Sequence, residues 1–395
     1  MKRIGKHCLA VLLFLALIPL CAQQDAATRM NRIIGLPLLS PGTQWTRQEL
    51  EKALLGQRLM FQGDRSRRST FLQGRKIFEV PATELLVVSD TEDMVTQVDV
   101  IYSNKGDSAK ARNMKRDNRK TGRSLKAVLT RILGNPVRDE FGPEGLQKEV
   151  LAWKYGEIRF LLESSREEYT ILHICYQKKA DHKPKRKELR VRKEEYSANV
   201  RGTPVGDVYV DNIPMVNQGP KGYCVPATVE RVLRYYGINQ ITMHQLAEAA
   251  GTGRGGGTSV EAMNHAIGKL RRNFGLDIHS CGEVKIETLK KYIDQGIPVM
   301  WAMYVNPTFL QLMQNSRAVR PNAKSPEDWL KSIRKYKLSR GGEGHVCLIV
   351  GYNARTEEIA ISNSWGDQEK IPAWIPLKFA IRVSQKATFV LSPKK

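Results

Sequence analysis

Apolar positions along the chain switch repeatedly between a period near 3.6 residues and a period of two, and the switches outline two mixed domains. Thr46 followed by Glu49 is a capping box, and it opens a helix that presents Leu50, Ala53 and Leu54 on one face. Residues 77–102 read as strands, with Val98, Val100 and Tyr102 alternating against polar neighbours. Leu125, Val128, Leu129, Ile132 and Leu133 then form the apolar stripe of a helix that stops at Gly134, Asn135 and Pro136. Leu151, Trp153 and Tyr155, then Ile158, Phe160 and Leu162, predict two strands about Gly156, and Tyr169 to Tyr176 predicts a third. Residues 41–176 therefore read as an N-terminal α+β domain, the smaller of the two. Residues 177–199 are polar without apolar periodicity and read as a basic linker.

Residues 200–395 form the second domain. Val225, Val229, Val232, Leu233 and Tyr236 share one face of a helix that begins at Cys224 and ends at Gly237. A helical stretch over Gln245 to Ala250, the glycine-rich GTGRGGG at 251–257, and a further helix opening at Thr258 or Ser259 follow. Ile297 to Val305 is a buried strand, and Ser325, Pro326, Glu327 and Asp328 open a short helix in an insertion that should border the site and shape access to it. HVCLIVGY, starting at His345, has the apolar density of another buried strand, and Glu358 to Ser364 predicts its neighbour. No repeat of solenoid length is visible.

Three properties of the chain change this picture. Lys2, Arg3 and Lys6 precede the apolar run Cys8 to Leu20 and the small residue Ala22, the pattern of a secretory signal peptide over 1–22. The run is too short to span a bilayer, so the expected location is extracytoplasmic, secreted or periplasmic, with a lipid anchor at Cys21 as the weaker alternative. Cleavage would leave Cys175, Cys224, Cys281 and Cys347, and an even number invites disulfides. A nucleophilic Cys224 would leave room for at most one bridge. The net charge is +23, and two basic clusters stand out, residues 104–126 and 177–195, which suit either a solvated surface or a polyanionic surface or polymer as partner.

The chemistry gathers in three strings: QGPKGYC at 218–224, GHVCLIV at 344–350 and ISNSWG at 361–366. Cys224 stands at a helix N-terminus, where the helix dipole and a nearby imidazolium favour the thiolate that attacks carbonyls. Gln218, six residues earlier on the same turn, can direct its amide at an oxyanion beside the Cys224 N–H. His345 at a strand mouth supplies a base, and Asn363 on the adjacent strand can hold its imidazole in one tautomer. Trp365 can cover that hydrogen bond from water.

At these residues the chain resembles the papain-like cysteine peptidases, over the second domain alone. The NSWG string and the Gln-to-Cys spacing carry the likeness. It implies catalytic roles for Gln218 as oxyanion donor, Cys224 as nucleophile, His345 as base and Asn363 as orienting residue. It also implies a helical half bearing the cysteine that faces a β-rich half bearing the histidine, and a protein or peptide substrate. Gly222, Tyr223, Cys224, Val225 and Pro226 stand where papain-type enzymes usually have CGSCW. CVPATVERVLRYYG instead resembles the bacteriocin-processing, double-glycine peptidase branch, which commonly pairs its histidine with Asp.

The remaining motifs are weaker. GTGRGGG contains GxGxxG, yet it follows a helix and lacks a preceding strand, so no dinucleotide cofactor is expected. His279 with Cys281 and His345 with Cys347 are HxC pairs that fit no familiar zinc module, and no metal is expected. His173 and Cys175 share a strand face and read as packing. The expectation is thus a cysteine peptidase; a Cys-dependent acyl transferase and a non-catalytic polyanion-binding protein on the same fold are the alternatives. Nothing in the first domain carries a catalytic motif, and it reads equally as a propeptide or a targeting module.

Overall fold

A computed structural model describes residues 28–39, 45–107, 114–143, 146–165, 168–176, 196–252 and 257–394. The expected signal peptide, most of the basic linker and the centre of GTGRGGG lie outside the described residues. The chain divides into two compact units. One draws on Met1–Ser103, Asn113–Phe141 and Glu149–Asp181, the other on Asn104–Arg112, Gly142–Lys148 and His182–Lys395. The division is thus interleaved, whereas the sequence suggested a single cut at the linker.

The first unit holds strands β1 (Gln62–Gly63), β2 (Arg67–Phe71), β3 (Lys76–Ile77), β4 (Val80–Pro81), β5 (Glu84–Ser89) and β6 (Val95–Asn104). It continues with β7 (Val137–Phe141), β8 (Lys148–Tyr155), β9 (Ile158–Ser164) and β10 (Tyr169–Cys175), and with helices α1 (Arg47–Leu55) and α2 (Met114–Leu133). Its main sheet runs β1-β2-β5-β6-β10-β9-β8-β7. The Thr46–Glu49 capping box forms as the sequence required, and Leu50 and Leu54 point into the core. Val98, Val100, Leu125, Leu129, Trp153 and Phe160 fill the space between helix and sheet. Because side chains alternate along a strand, Asp99, Glu163 and His173 leave that core and meet on the other face. The His173 imidazole donates to Asp99 at 2.7 Å and to Glu163 at 3.0 Å, with the Phe141 ring centred 4.4 Å away. Burial opposes its charge, but the two carboxylates outweigh that and raise its pKa to about 9. His173 is therefore held by carboxylates, and Cys175 faces Gln97.

The second unit has strands β11 (Val200–Gly202), β12 (Asp207–Val210), β13 (Leu276–Ser280), β14 (Val299–Val305), β15 (Glu343–Asn353), β16 (Glu358–Ser362), β17 (Ala373–Pro376) and β18 (Ser384–Pro393). Its helices are α3 (Cys224–Tyr235), α4 (Met243–Ala249), α5 (Val260–Ala266), α6 (Gly268–Asn273), α7 (Ile286–Ile293), α8 (Pro307–Val319), α9 (Pro326–Ser332) and α10 (Leu377–Val383). The sheet order is β11-β12-β15-β14-β18-β13, and β16 joins the other flank of β15 before pairing with β17. The long apolar run of β15 is explained by its neighbours, since all but its first two residues are buried. Val229, Val232 and Leu233 of α3 share one core with Trp301, Leu348 and Ile361 of the sheet. An α+β fold with a helical half carrying Cys224 and a β-rich half carrying His345 results.

Two departures from the sequence reading concern the elements around His345. The β16 strand stops at Ser362, so Asn363 lies just past its end instead of within it. The insertion between β14 and β15 holds the full helix α8 before the short α9 that Ser325 caps. At the end of the insertion Gly342 has φ +136°, and a Cβ there would sit 2.3 Å from the Val305 carbonyl. Only glycine lets the chain re-enter β15 in register with β14, where Met303 pairs with His345.

Candidate active site

Cys224 is the first residue of α3, and the backbone amides of Val346, Val225 and Cys224 itself act to lower the pKa of its thiol. Val346 is the residue after His345, so packing α3 on β15 sets Cys224 against the stretch of β15 that carries His345. The contact is fixed from both sides, since Thr228, one helical turn on, donates to the Val346 carbonyl at 3.1 Å. His345 is buried, and its Nε2 lies 2.9 Å from Asn363 Oδ1. Leu348 pairs with Ser362 across β15 and β16, which puts Asn363 opposite Cys347 and diagonal to His345. The Trp365 ring stacks on the imidazole with centroids 4.6 Å apart and planes 31° apart. It covers the His345–Asn363 hydrogen bond as expected of it.

Gln218 closes the same site. Its backbone N–H donates to the Ser364 carbonyl at 2.8 Å, and Ser364 Oγ donates to its Oε1 at 2.6 Å. One of its two Nε2 protons goes to the Lys221 carbonyl at 2.8 Å, which leaves the second for an oxyanion. Gly257 N–H donates to the Gly222 carbonyl at 2.9 Å, so the end of the glycine-rich segment supports the turn before Cys224.

The electrostatics differ from the sequence reading in sign. Burial pushes the Cys224 thiol up, and the three amide donors, which act as the helix N-terminus was expected to act, do not offset it. Burial likewise lowers His345 to about 4, against the opposing effect of its hydrogen bond to Asn363 Oδ1. Thiol and imidazole are therefore both neutral at rest. Transfer of a proton from a neutral thiol to a neutral imidazole would leave the sum of their charges at zero. The base remains available above pH 4 and is lost as pH falls through that value. If His345 accepts the thiol proton, the acid limb of kcat/KM should centre near pH 4. A limb near the ordinary imidazole value would contradict this; rates measured across the acid range up to neutrality decide it.

Sequence reasoning missed the groups behind Asn363. Glu369, fully buried, accepts from Asn363 Nδ2 at 2.9 Å and from the Asn363 N–H at 3.2 Å, and pairs with Arg317 of α8. Arg231 on α3 donates to the Asn363 carbonyl at 2.8 Å and to the Ser362 carbonyl at 3.1 Å. The only available signals were Gly366 and the charged run after it. Gly366, at φ 104°, reverses the chain so that Glu369 returns to Asn363. The insertion thus borders the site from the Asn363 side, where Met313 of α8 also touches the amide. Cys281 follows β13, away from the site, whereas Cys347 is buried within electrostatic reach of Glu369, Arg231, Arg317 and Cys224. All four cysteines of the described residues are free thiols, and Cys347 faces Met303 in the core, so no bridge of the kind the even count invited is present. Among the described residues no cluster of His, Cys, Asp and Glu has the arrangement of a metal site.

Residues 210–381 match the model of the Peptidase_C39 like family, and the first unit lies outside the match. Among solved structures, a C39-like peptidase from Bacillus anthracis is similar at 14% identity and a TM-score of 0.32, over 48% of this chain and 98% of that one. Xylellain, a cysteine protease from Xylella fastidiosa, is similar at 14% identity and a TM-score of 0.25, over 51% of this chain and 90% of that one. No curated protein matched the sequence.

Proposed function

We propose that the protein hydrolyses peptide or amide bonds through a Cys224 thioester, with His345 as base, Asn363 as its orienting partner and Gln218 as oxyanion donor. The observation that carries this reading is the buried 2.9 Å contact of His345 Nε2 with Asn363, beside a thiol cradled by the Val346 N–H. In acylation the Cys224 proton passes to His345, the thiolate attacks the carbonyl carbon, and the amine leaves with the proton from the imidazolium. Water, deprotonated by the same imidazole, then releases the acid. The second Gln218 N–H and the Cys224 N–H are the donors for the oxyanion of both steps.

Products identify the reaction. Incubating the full chain with a mixed peptide library and an added primary amine should give fragments with free carboxylates, each pair one water heavier in sum than its parent. Fragments carrying the added amine would instead assign acyl transfer, because an amine resolves the same thioester.

A specific surface favours a polyanionic partner in addition. Arg116, Arg119, Lys120, Arg123 and Lys126 are exposed along α2, over a rise of roughly 15 Å. Arg131, by contrast, is paired with Glu79. Retention of the protein on a sulfated polysaccharide column is expected to weaken steeply with salt and to fall when Arg119, Arg123 and Lys126 become glutamine. Salt-independent retention would remove this surface from the account.

A further inference from the structure

We infer that Glu369 is a positioning residue that sets which end of the Asn363 amide faces His345, and that its presence is why position 363 is Asn and not Asp. This rests on the catalytic reading of Cys224, His345 and Asn363.

An asparagine amide is nearly symmetric in outline, with an acceptor at one end and a donor at the other. Left to itself, the Asn363 amide would present either end to the imidazole, and the two ends demand opposite tautomers. Glu369 removes the choice. Its carboxylate, buried and paired with the half-buried Arg317, can only accept, so the amide must turn its NH2 to Glu369 at 2.9 Å. Oδ1 then faces His345 Nε2 at 2.9 Å, and that nitrogen must carry the proton. Nδ1 is left as the ring nitrogen that takes the thiol proton. The same carboxylate also accepts from the Asn363 backbone N–H at 3.2 Å, so side chain and backbone of Asn363 are aligned by one group. The carboxylate polarises the amide as well, making Oδ1 a stronger acceptor for the imidazolium that forms during attack.

An aspartate at this position would replace that NH2 by a second carboxylate oxygen at the same short distance. Two carboxylates sharing one site cannot both be ionised, and the proton they would share is lost to the histidine interaction. The arrangement is therefore a matched pair: Asn363 requires an acceptor-only neighbour, and Glu369 requires a donor opposite it. Arg317, from the α8 insertion, holds the second partner in place, and Gly366 supplies the turn that delivers it.

The test is a compensation experiment on the full chain. Asn363→Asp should lower kcat by at least about tenfold, and Glu369→Gln should also lower it, because a Gln amide can accept or donate and frees Asn363 to flip. When Asn363→Asp and Glu369→Gln are combined, the new amide donates to the new carboxylate, and kcat should recover by at least about tenfold over Asn363→Asp alone. The acid limb of the double variant should move upward, since an ionised carboxylate then faces the imidazole. A group with a merely structural role would make the double variant as poor as the product of the singles, and that outcome overturns the inference, as does an undiminished Asn363→Asp. Should the wild-type chain prove to have no hydrolytic activity, the proposed function fails and the inference is read from the imidazole nitrogens by NMR. His345 should be the Nε2–H tautomer in the wild type and a mixture in Glu369→Gln. An unchanged tautomer there overturns it.

Discussion

Cys224→Ala is expected to abolish hydrolysis, with kcat/KM falling by a factor on the order of 10⁴ to 10⁶ while the fold is kept. In the proposed mechanism the covalent bond forms on this sulfur; of the other described thiols, Cys175 and Cys347 are buried, and Cys281 lies on the Leu276–Ser280 side of the sheet. His345→Ala should cost nearly as much, because burial keeps the Cys224 thiol protonated and the proposed mechanism has His345 accept its proton. Combining the two changes should cost little beyond either alone, as for residues that act as a unit. Steady-state rates on a cleaved peptide check this. Turnover in Cys224→Ala at the wild-type level removes the nucleophile from the account.

Arg320→Ala is expected to have the largest effect on stability, a loss of about 3–5 kcal/mol in the second unit. Its guanidinium binds Asp207 through two bonds of 2.7 and 3.0 Å and Glu358 through two of 3.0 and 3.1 Å, and it lies 4.2 Å over the Trp374 ring. Asp207 and Glu358 are both buried, and Glu358 also accepts from Trp329 at 2.8 Å while Asp207 accepts from Asn353 at 2.7 Å. Alanine would leave two buried carboxylates without a counter-charge, and that desolvation cost exceeds the loss of the bonds themselves. Arg320→Lys should recover only part, since an ammonium cannot reproduce the planar fork that grips two carboxylates. Hydrogen exchange of β12 and β16 in both variants measures the loss locally. Protection within about 1 kcal/mol of wild type in Arg320→Ala would show that these charges are solvated after all.

How much of this was readable from the chain follows from where each signal lives. The helix after Cys224, the β15 run and the Thr46 capping box depend on residues close in sequence, and their periodicity carries them. The pairing of His345 with Asn363 was legible because the two strands are consecutive. Glu369, Arg317 and Arg231 were not, because a charge in sequence looks like a solvated one until a tertiary partner buries it. Arg320 and Glu358 are hidden for the same reason, 38 positions apart. The sign of the Cys224 shift was missed by weighing the helix end, a local feature, without the desolvation that packing against β15 imposes.

The central claim is that Cys224 becomes nucleophilic only by giving its proton to His345. Treating the native full chain with an irreversible thiol-directed electrophile and mapping the adduct by peptide mass tests it most directly, in wild type and in His345→Ala. The account predicts rapid labelling at Cys224 in wild type, a loss of at least about a hundredfold in rate in His345→Ala, and slow labelling of Cys281 unchanged in both. Equal labelling of Cys224 in the two proteins, or faster labelling of Cys281 than of Cys224 in wild type, would contradict it.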